Sequence, residues 1–225
     1  MNTATATGAL RPAHPIRLYH HPLSGHVHRV ELFLALLDLP YEVVPIDVFK
    51  RETREPAFLA INPFGQLPVV ADGDVTLADS NAILVYLAKR YDATRRWMPD
   101  DAVGAARVQR WFSIAAGPLA AGPASARIAM LVGGAPALPQ VRDSHRLFAL
   151  MDAQLAASAF LAGAEPTLAD VSLYSYTAHA PEGGVSLEAY PHVRAWLARI
   201  EALPRFKGMQ RSRVPAPVDA AALSA

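Results

Sequence analysis

The stretch Asn62–Val70, with the sequence NPFGQLPVV, constrains the fold more than any other part of the chain. It ends in two β-prone valines, and Pro68 stands directly before them. Because proline cannot donate a hydrogen bond to a neighbouring strand, Pro68 belongs at a strand start, an edge or a turn. We expect a cis Leu67–Pro68 bond, which would leave the peptide groups of Leu67 open to an extended peptide. The alternative is a plain strand entry with a trans proline.

Composition excludes several classes of function. The 225 residues are 52% hydrophobic, which is enough for a substantial core in one large domain or two small ones. The 21 basic and 20 acidic residues nearly balance, and without a basic stripe nucleic acid is an unfavourable partner. The chain has no cysteine, so disulfides and CxxC redox chemistry are excluded. Any thiol chemistry must therefore use a thiol that a ligand carries.

The ends of the chain are expected to lie outside the folded core. Residues 1–15 are small, polar and proline-bearing, without the apolar centre of a secretory signal, and we expect a disordered extension there. Residues 211–225 are similar and are expected to form a flexible tail. No apolar run approaches the roughly 18–20 residues of a membrane span. A cytoplasmic location is the expectation.

Residues 16–92 alternate between strand and helix patterns. Apolar residues recur at helical spacing from Val27 to Leu37, and Asp79–Ser80 is a helix start. Between them lie strand patterns and an Asp72–Gly73 hairpin turn. The predicted order is βαβαββα, a small mixed sheet with helices packed on it. The predicted strands are Ile16–Tyr19, Tyr41–Ile46, Pro68–Ala71 and Val75–Ala78.

Beyond a predicted linker at 93–99, residues 100–210 show only helical patterns. A long alanine-rich helix is predicted from Ala102 to about Val132, bent or broken at two Gly-Pro pairs. Thr167 and Asp170 form a capping box with a structural role. The remaining predicted helices run over 138–157, after the capping box, and over 190–203.

These residues together resemble the cytosolic glutathione transferases, and the serine-using, theta-like classes among them. The resemblance rests on Ser24 before a helix, the Asn62–Pro68 segment, Asp79–Ser80, and Thr167 with Asp170, in that order. It implies an α/β thioredoxin-like N-terminal domain (βαβαββα) followed by an all-α C-terminal domain. It also implies a homodimer that uses glutathione as co-substrate in detoxification.

Ser24 is the catalytic residue that this resemblance implies. A hydroxyl at a helix N-terminus can donate a hydrogen bond to an incoming thiolate, which the helix dipole also stabilises. Lowering a thiol pKa of about 8.5 by about two units requires about 2.7 kcal/mol, and one charge-assisted bond supplies most of that. Tyr19 lies too early in the sequence for the tyrosine-type role. The alternative for Ser24 is a simple helix cap.

The glutathione-binding residues follow from the same resemblance. Leu67 and Pro68 would present backbone to the cysteinyl unit, with Gln66 beside it near the glycyl end. Ser80 would bind the γ-glutamyl carboxylate and Asp79 the γ-glutamyl ammonium. Helix capping is the alternative for Asp79 and Ser80, since both residue types are favoured there in any case.

Four histidines, His20, His21, His26 and His28, crowd the loop around Ser24. His26 and His28 point about 200° apart on a helix, and no carboxylate spacing supports a site, so no metal is expected. One histidine is expected to touch a glutathione carboxylate, and the others to be surface or packing residues.

The electrophile is expected between the domains, against the long helix. The candidates to line its site are Trp111, Phe112, Ile114 and Ala115. The leading function is transfer of alkyl or aryl groups to glutathione. A glutathione-fold binding protein without turnover and a glutathione-dependent peroxidase or isomerase remain alternatives.

Overall fold

The computed structural model describes residues 10–216 and 218. Most of the predicted extension (1–9) and part of the predicted tail (217 and 219–225) lie outside the described residues. Residues 10–15 and 211–216 form no helix or strand. Arg11 pairs with Asp38 at 3.1 Å, and Ser212 donates a hydrogen bond to Glu182 at 2.6 Å. The boundaries of the extension, linker, domains and tail stay predictions.

The N-terminal half is built on a four-stranded sheet with the order β2-β1-β3-β4. Strand β1 runs parallel to β2, with Ile16 opposite Tyr41, and antiparallel to β3, with Leu18 opposite Val70. Pro68 lies just before β3, where its missing N–H removes no ladder bond, and the Leu67–Pro68 peptide is cis, as predicted. The strands are β1 Ile16–His20, β2 Tyr41–Pro45, β3 Val69–Asp72 and β4 Val75–Ala78.

Three helices complete this half: α1 Gly25–Leu36, α2 Pro56–Ile61 and α3 Ser80–Tyr91. The element order is therefore βαβαββα, which confirms the predicted fold class. The residues of α1 at helical spacing, among them Val27 and Val30, are fully buried. They are buried on more than one side because α1 packs against α3 and also against the helical half of the chain.

The second half is all helical in the residues described. Its first helix is interrupted as predicted: α4 ends where the Gly117 N–H bonds to Ser113, and a π-helical turn containing Pro123 precedes α5. Proline has no N–H for the regular ladder, so the wider turn accommodates it. The helices are α4 Ala102–Ala116, the π turn Ala120–Ala124, α5 Ser125–Gly133, α6 Leu138–Ala157, α7 Leu168–Ala178 and α8 Pro191–Glu201.

One helical run, 102–133, is long and apolar enough to cross a membrane by length and composition alone. The expectation that no apolar run approaches this length did not consider α4, the π turn and α5 together as one run. Of its most apolar window, 39% is buried inside the fold. Core helices of globular proteins meet the same criterion, and this run packs against α6 and α7.

Asp170 holds the start of α7. With Thr167 it forms the predicted capping box, accepting the Thr167 N–H at 2.8 Å. It also accepts the Leu161 N–H at 2.9 Å and the Trp196 indole N–H at 2.8 Å. Asp170 is almost fully buried. One carboxylate thus joins α7, the loop before it and α8.

We expect Asp170→Ala to lower the free energy of unfolding by about 4 kcal/mol or more, because three buried N–H donors lose their acceptor. Asp101→Ala is the matched control, since Asp101 caps α4 from an exposed position. It should cost about 1 kcal/mol. Urea denaturation of both variants measures the difference, and equal losses would contradict the structural role of Asp170.

Candidate active site

A cavity of about 700 Å³ opens between the two halves of the chain. It brings together every residue predicted for catalysis and glutathione binding, from three separate segments of the sequence. A pocket with convergent polar groups is the usual form of a small-molecule site. The predicted residues that line it are Ser24, Gln66, Leu67, Pro68, Asp79 and Ser80.

Ser24 both caps α1 and faces the cavity. Its backbone is extended, with φ −85° and ψ 112°, and its hydroxyl accepts the Val27 N–H at 3.3 Å. Accepting that bond leaves the hydroxyl proton free to be donated. The two interpretations of Ser24 are therefore compatible: the cap fixes the side chain at the positive end of α1.

Asn62 and Gly65 shape the turn that leads to Leu67. The buried Asn62 amide donates to the Gln66 carbonyl at 2.8 Å and accepts the Phe64 N–H at 3.2 Å. Gly65 has a φ of +61°, and a Cβ there would lie 2.8 Å from the Thr53 carbonyl oxygen. Only glycine meets both demands without strain. Within the described residues, turns, caps and side chains provide no hydrogen-bond partner for the Leu67 peptide groups.

Asp79 stands at the N-terminus of α3 in an unusual conformation. Its φ is +73° and its ψ is 123°, while its carboxylate accepts the Ala82 N–H at 2.9 Å. Backbone strain of this kind costs about 1–3 kcal/mol and concentrates at functional sites. The next residue, Ser80, is buried and lines the cavity.

Arg29 lies behind Ser80 and was not foreseen in the sequence. It is fully buried on α1, and its Nη1 donates to the Ser80 hydroxyl at 3.1 Å and to His26 Nδ1 at 3.0 Å. Its Nε and Nη2 have no partner among the residues described. Burial lowers the pKa of Arg29 to about 10, with partial compensation from Tyr176 and Asp79. A cation therefore stays charged next to Ser80, and no carboxylate among the described residues pairs with it directly.

Comparisons with known proteins identify the family of this chain. Residues 14–89 match the model of the glutathione S-transferase N-terminal domain, and residues 135–204 match that of the C-terminal domain. The chain belongs to the glutathione S-transferase family. Glutathione S-transferase 3 of Zea mays is 35% identical over 86% of this chain and 92% of its own. Glutathione S-transferase theta-1 of Homo sapiens is 30% identical, over 83% of this chain and 82% of its own.

Solved structures show the same architecture. A glutathione S-transferase from Pseudomonas fluorescens has a TM-score of 0.82 and 32% identity, with 87% of this chain and 99% of that one covered. A glutathione transferase homologue from Drosophila mojavensis, solved with bound glutathione, has a TM-score of 0.78 and 29% identity, with 84% and 89% covered. The thioredoxin-like domain followed by a helical domain is thus confirmed for this transferase.

The four histidines of the transferase separate into different environments. His20 pairs with Glu31 at 3.5 Å, and His28 donates to the Lys207 carbonyl at 2.8 Å. Among the four, His21 and His26 line the cavity. Burial and the Arg29 charge lower the pKa of His26 to about 3, so its imidazole is neutral. Among the described residues, no group of three metal-ligating side chains is found.

The expectation for the electrophile-lining residues was wrong. Trp111, Phe112 and Ala115 are buried in the core of the helical half, where Trp111 donates to the Leu161 carbonyl at 2.9 Å, and Ile114 does not line the cavity either. The break in the long helix places the next segment, α5, over the cavity instead. The apolar side chains that line it are Phe49, Phe64, Ile128, Leu131 and Val132.

We expect the Asp79→Gly variant to be more stable than the Asp79→Ala variant. Its free energy of unfolding should be higher by at least about 1 kcal/mol. Glycine relieves the strain at positive φ, and glycine at a helix start costs only a few tenths of a kcal/mol relative to aspartate. Alanine keeps the strain and also removes the cap. Urea denaturation without ligand measures both, and an alanine variant as stable as the glycine variant would contradict the strain.

Proposed function

We propose that this transferase binds glutathione along the Leu67 peptide, and that the Ser24 hydroxyl donates a hydrogen bond to the glutathione thiolate. The observation that carries the proposal is the shared cavity of Ser24, Leu67 and Ser80, one from each of three segments. The chain supplies no thiol of its own, because it contains no cysteine. The sulfur nucleophile must therefore arrive with the ligand.

The reaction is a substitution or addition at a hydrophobic electrophile. The thiol loses its proton to solvent, and the thiolate sulfur forms a bond to carbon. In a substitution, the leaving group departs with the electron pair of its former bond. In an addition, the π bond of the electrophile breaks, and its electron pair takes up a proton from solvent. Catalysis comes from stabilising the thiolate and from holding the two reactants close together. The apolar side chains of α5 and of the facing loops form the wall that receives the electrophile.

The γ-glutamyl end of glutathione is assigned to the start of α3. The Ser80 hydroxyl and the free N–H groups of the helix suit a carboxylate, and the exposed Asp79 carboxylate suits the ammonium. Arg29 adds a buried positive charge behind Ser80. Gln66, exposed on the turn before Leu67, is assigned to the region near the glycyl end. A homodimer, a cytoplasmic location and a role in detoxification stay predictions.

Replacing Ser24 tests its proposed role directly. Ser24→Ala should raise the pKa of the bound glutathione thiol by about one to two units, since each unit corresponds to about 1.4 kcal/mol of lost thiolate stabilisation. Thiolate absorbance against pH measures it, alongside turnover of a chlorinated nitroaromatic. Full turnover and an unshifted titration would refute the role. Turnover of a hydroperoxide instead would indicate a peroxidase, and tight binding without turnover a binding protein.

Replacing Arg29 tests the assignment of the γ-glutamyl end. Arg29→Met should weaken glutathione binding about tenfold, or 1.4 kcal/mol, because the ligand carboxylate loses the charge behind Ser80. An analogue of glutathione that lacks the γ-glutamyl α-carboxylate is the matched control and should bind both proteins equally. Calorimetry measures the affinities. Equal losses for both ligands would place the carboxylate elsewhere.

A further inference from the structure

Tyr176 reaches the active-site cavity from the helical half of the chain. It lies on α7, is almost fully buried, and lines the same cavity as Ser24. The hydroxyl-bearing end of its ring lies on Gly25, the first residue of α1. A Cβ added to Gly25 would be 2.7 Å from Tyr176 Cζ and 2.8 Å from Cε1. Glycine directly after Ser24 is therefore what allows this ring to approach.

The surroundings of the Tyr176 phenol keep it protonated. Burial raises the pKa of Tyr176, and the charges of Arg29 and Arg127 and the N–H groups of His26 and Gly25 offset this only in part. At neutral pH the group is therefore a hydrogen-bond donor. The His26 ring packs edge-on against the Tyr176 ring, with 5.0 Å between the ring centroids. Because its pKa is lowered to about 3, His26 is neutral and adds no charge beside the phenol.

The proton of this hydroxyl is also unused within the described part of the chain. The neighbouring Tyr174 donates its hydroxyl proton to Glu201 at 2.8 Å. No carboxylate, carbonyl or hydroxyl among residues 10–216 and 218 accepts the proton of Tyr176. The hydroxyl-bearing end of its ring lies at the start of α1, which is the end of the helix that favours an anion.

We propose that the Tyr176 hydroxyl is a second hydrogen-bond donor to the glutathione thiolate, acting beside Ser24. This inference rests on the proposed function, because it needs glutathione in the cavity. Tyr176 keeps its proton throughout, and no proton is transferred to or from it. The thiolate would then be held by one hydroxyl from each half of the protein. A donor from the helical half makes thiolate formation depend on how the two halves pack.

Tyr176→Phe removes the hydroxyl and keeps the ring against Gly25. Tyr174→Phe is the matched control, because it removes a hydroxyl from the same helix that bonds to Glu201 away from the cavity. The titration of bound glutathione should shift up by about one unit in Tyr176→Phe and should not shift in Tyr174→Phe. The kcat/KM at a pH below the thiol pKa should fall about tenfold in Tyr176→Phe, with the difference narrowing at high pH.

The outcomes separate this inference from the function on which it rests. If the unchanged protein does not bind glutathione, both fail. If it binds glutathione with a lowered thiol pKa that Tyr176→Phe leaves unshifted, only the role of Tyr176 fails. A rate loss confined to electrophiles that carry oxygen, at an unshifted thiol pKa, would also overturn it and place the hydroxyl on the electrophile. Should Tyr176→Phe not fold, Gly25→Ala displaces the same ring and should raise the thiol pKa likewise.

Discussion

The packing of α1 between the two halves of the chain is the constraint on which the site depends. Helix α1 contacts both α3 and α7, and its first residue, Gly25, lies against Tyr176 of α7. The close approach of Tyr176 to Gly25 is possible only because position 25 has no side chain. Ser24 and His26, at the N-terminus of α1, line the cavity, so this end of the helix is partly shielded from bulk water. An anion placed there is screened less than at the surface.

Two buried arginines place positive charge near the contact between the two halves of the chain. Arg29 supports Ser80 from within the first half, as described above. Arg127 comes from α5, pairs with Glu182 at 2.6 Å and donates to the Leu23 carbonyl at 2.6 Å, so it ties the helical half to the loop before Ser24. Burial raises the pKa of Glu182, but bonds from His179, Ser212 and Arg127 outweigh it and lower the pKa to about 2. The Glu182 carboxylate therefore stays ionised beside Arg127 at neutral pH.

The features that followed from sequence are those with local causes. The helix starts at Asp79 and Thr167, the hairpin after β3 and the break near Pro123 each depend on a few neighbouring residues. Ser24 and Leu67 were singled out by a family pattern that is also local, and both line the cavity. The apolar residues that line the cavity were not predicted, because their position depends on tertiary packing and not on neighbouring residues. A helical apolar pattern shows which residues are buried, and Trp111 is buried, but it does not show whether they face a core or a cavity.

The sequence by itself determined the order of the elements, the absence of a protein thiol, and the three segments that supply the polar groups of the site. Only the tertiary structure decided that Arg29, Arg127 and Tyr176 belong to that site. Their side chains meet Ser80, Leu23 and Gly25 across separations of 51, 104 and 151 residues. Contacts at such distances are fixed by how helices pack, and no local periodicity or capping signal encodes them.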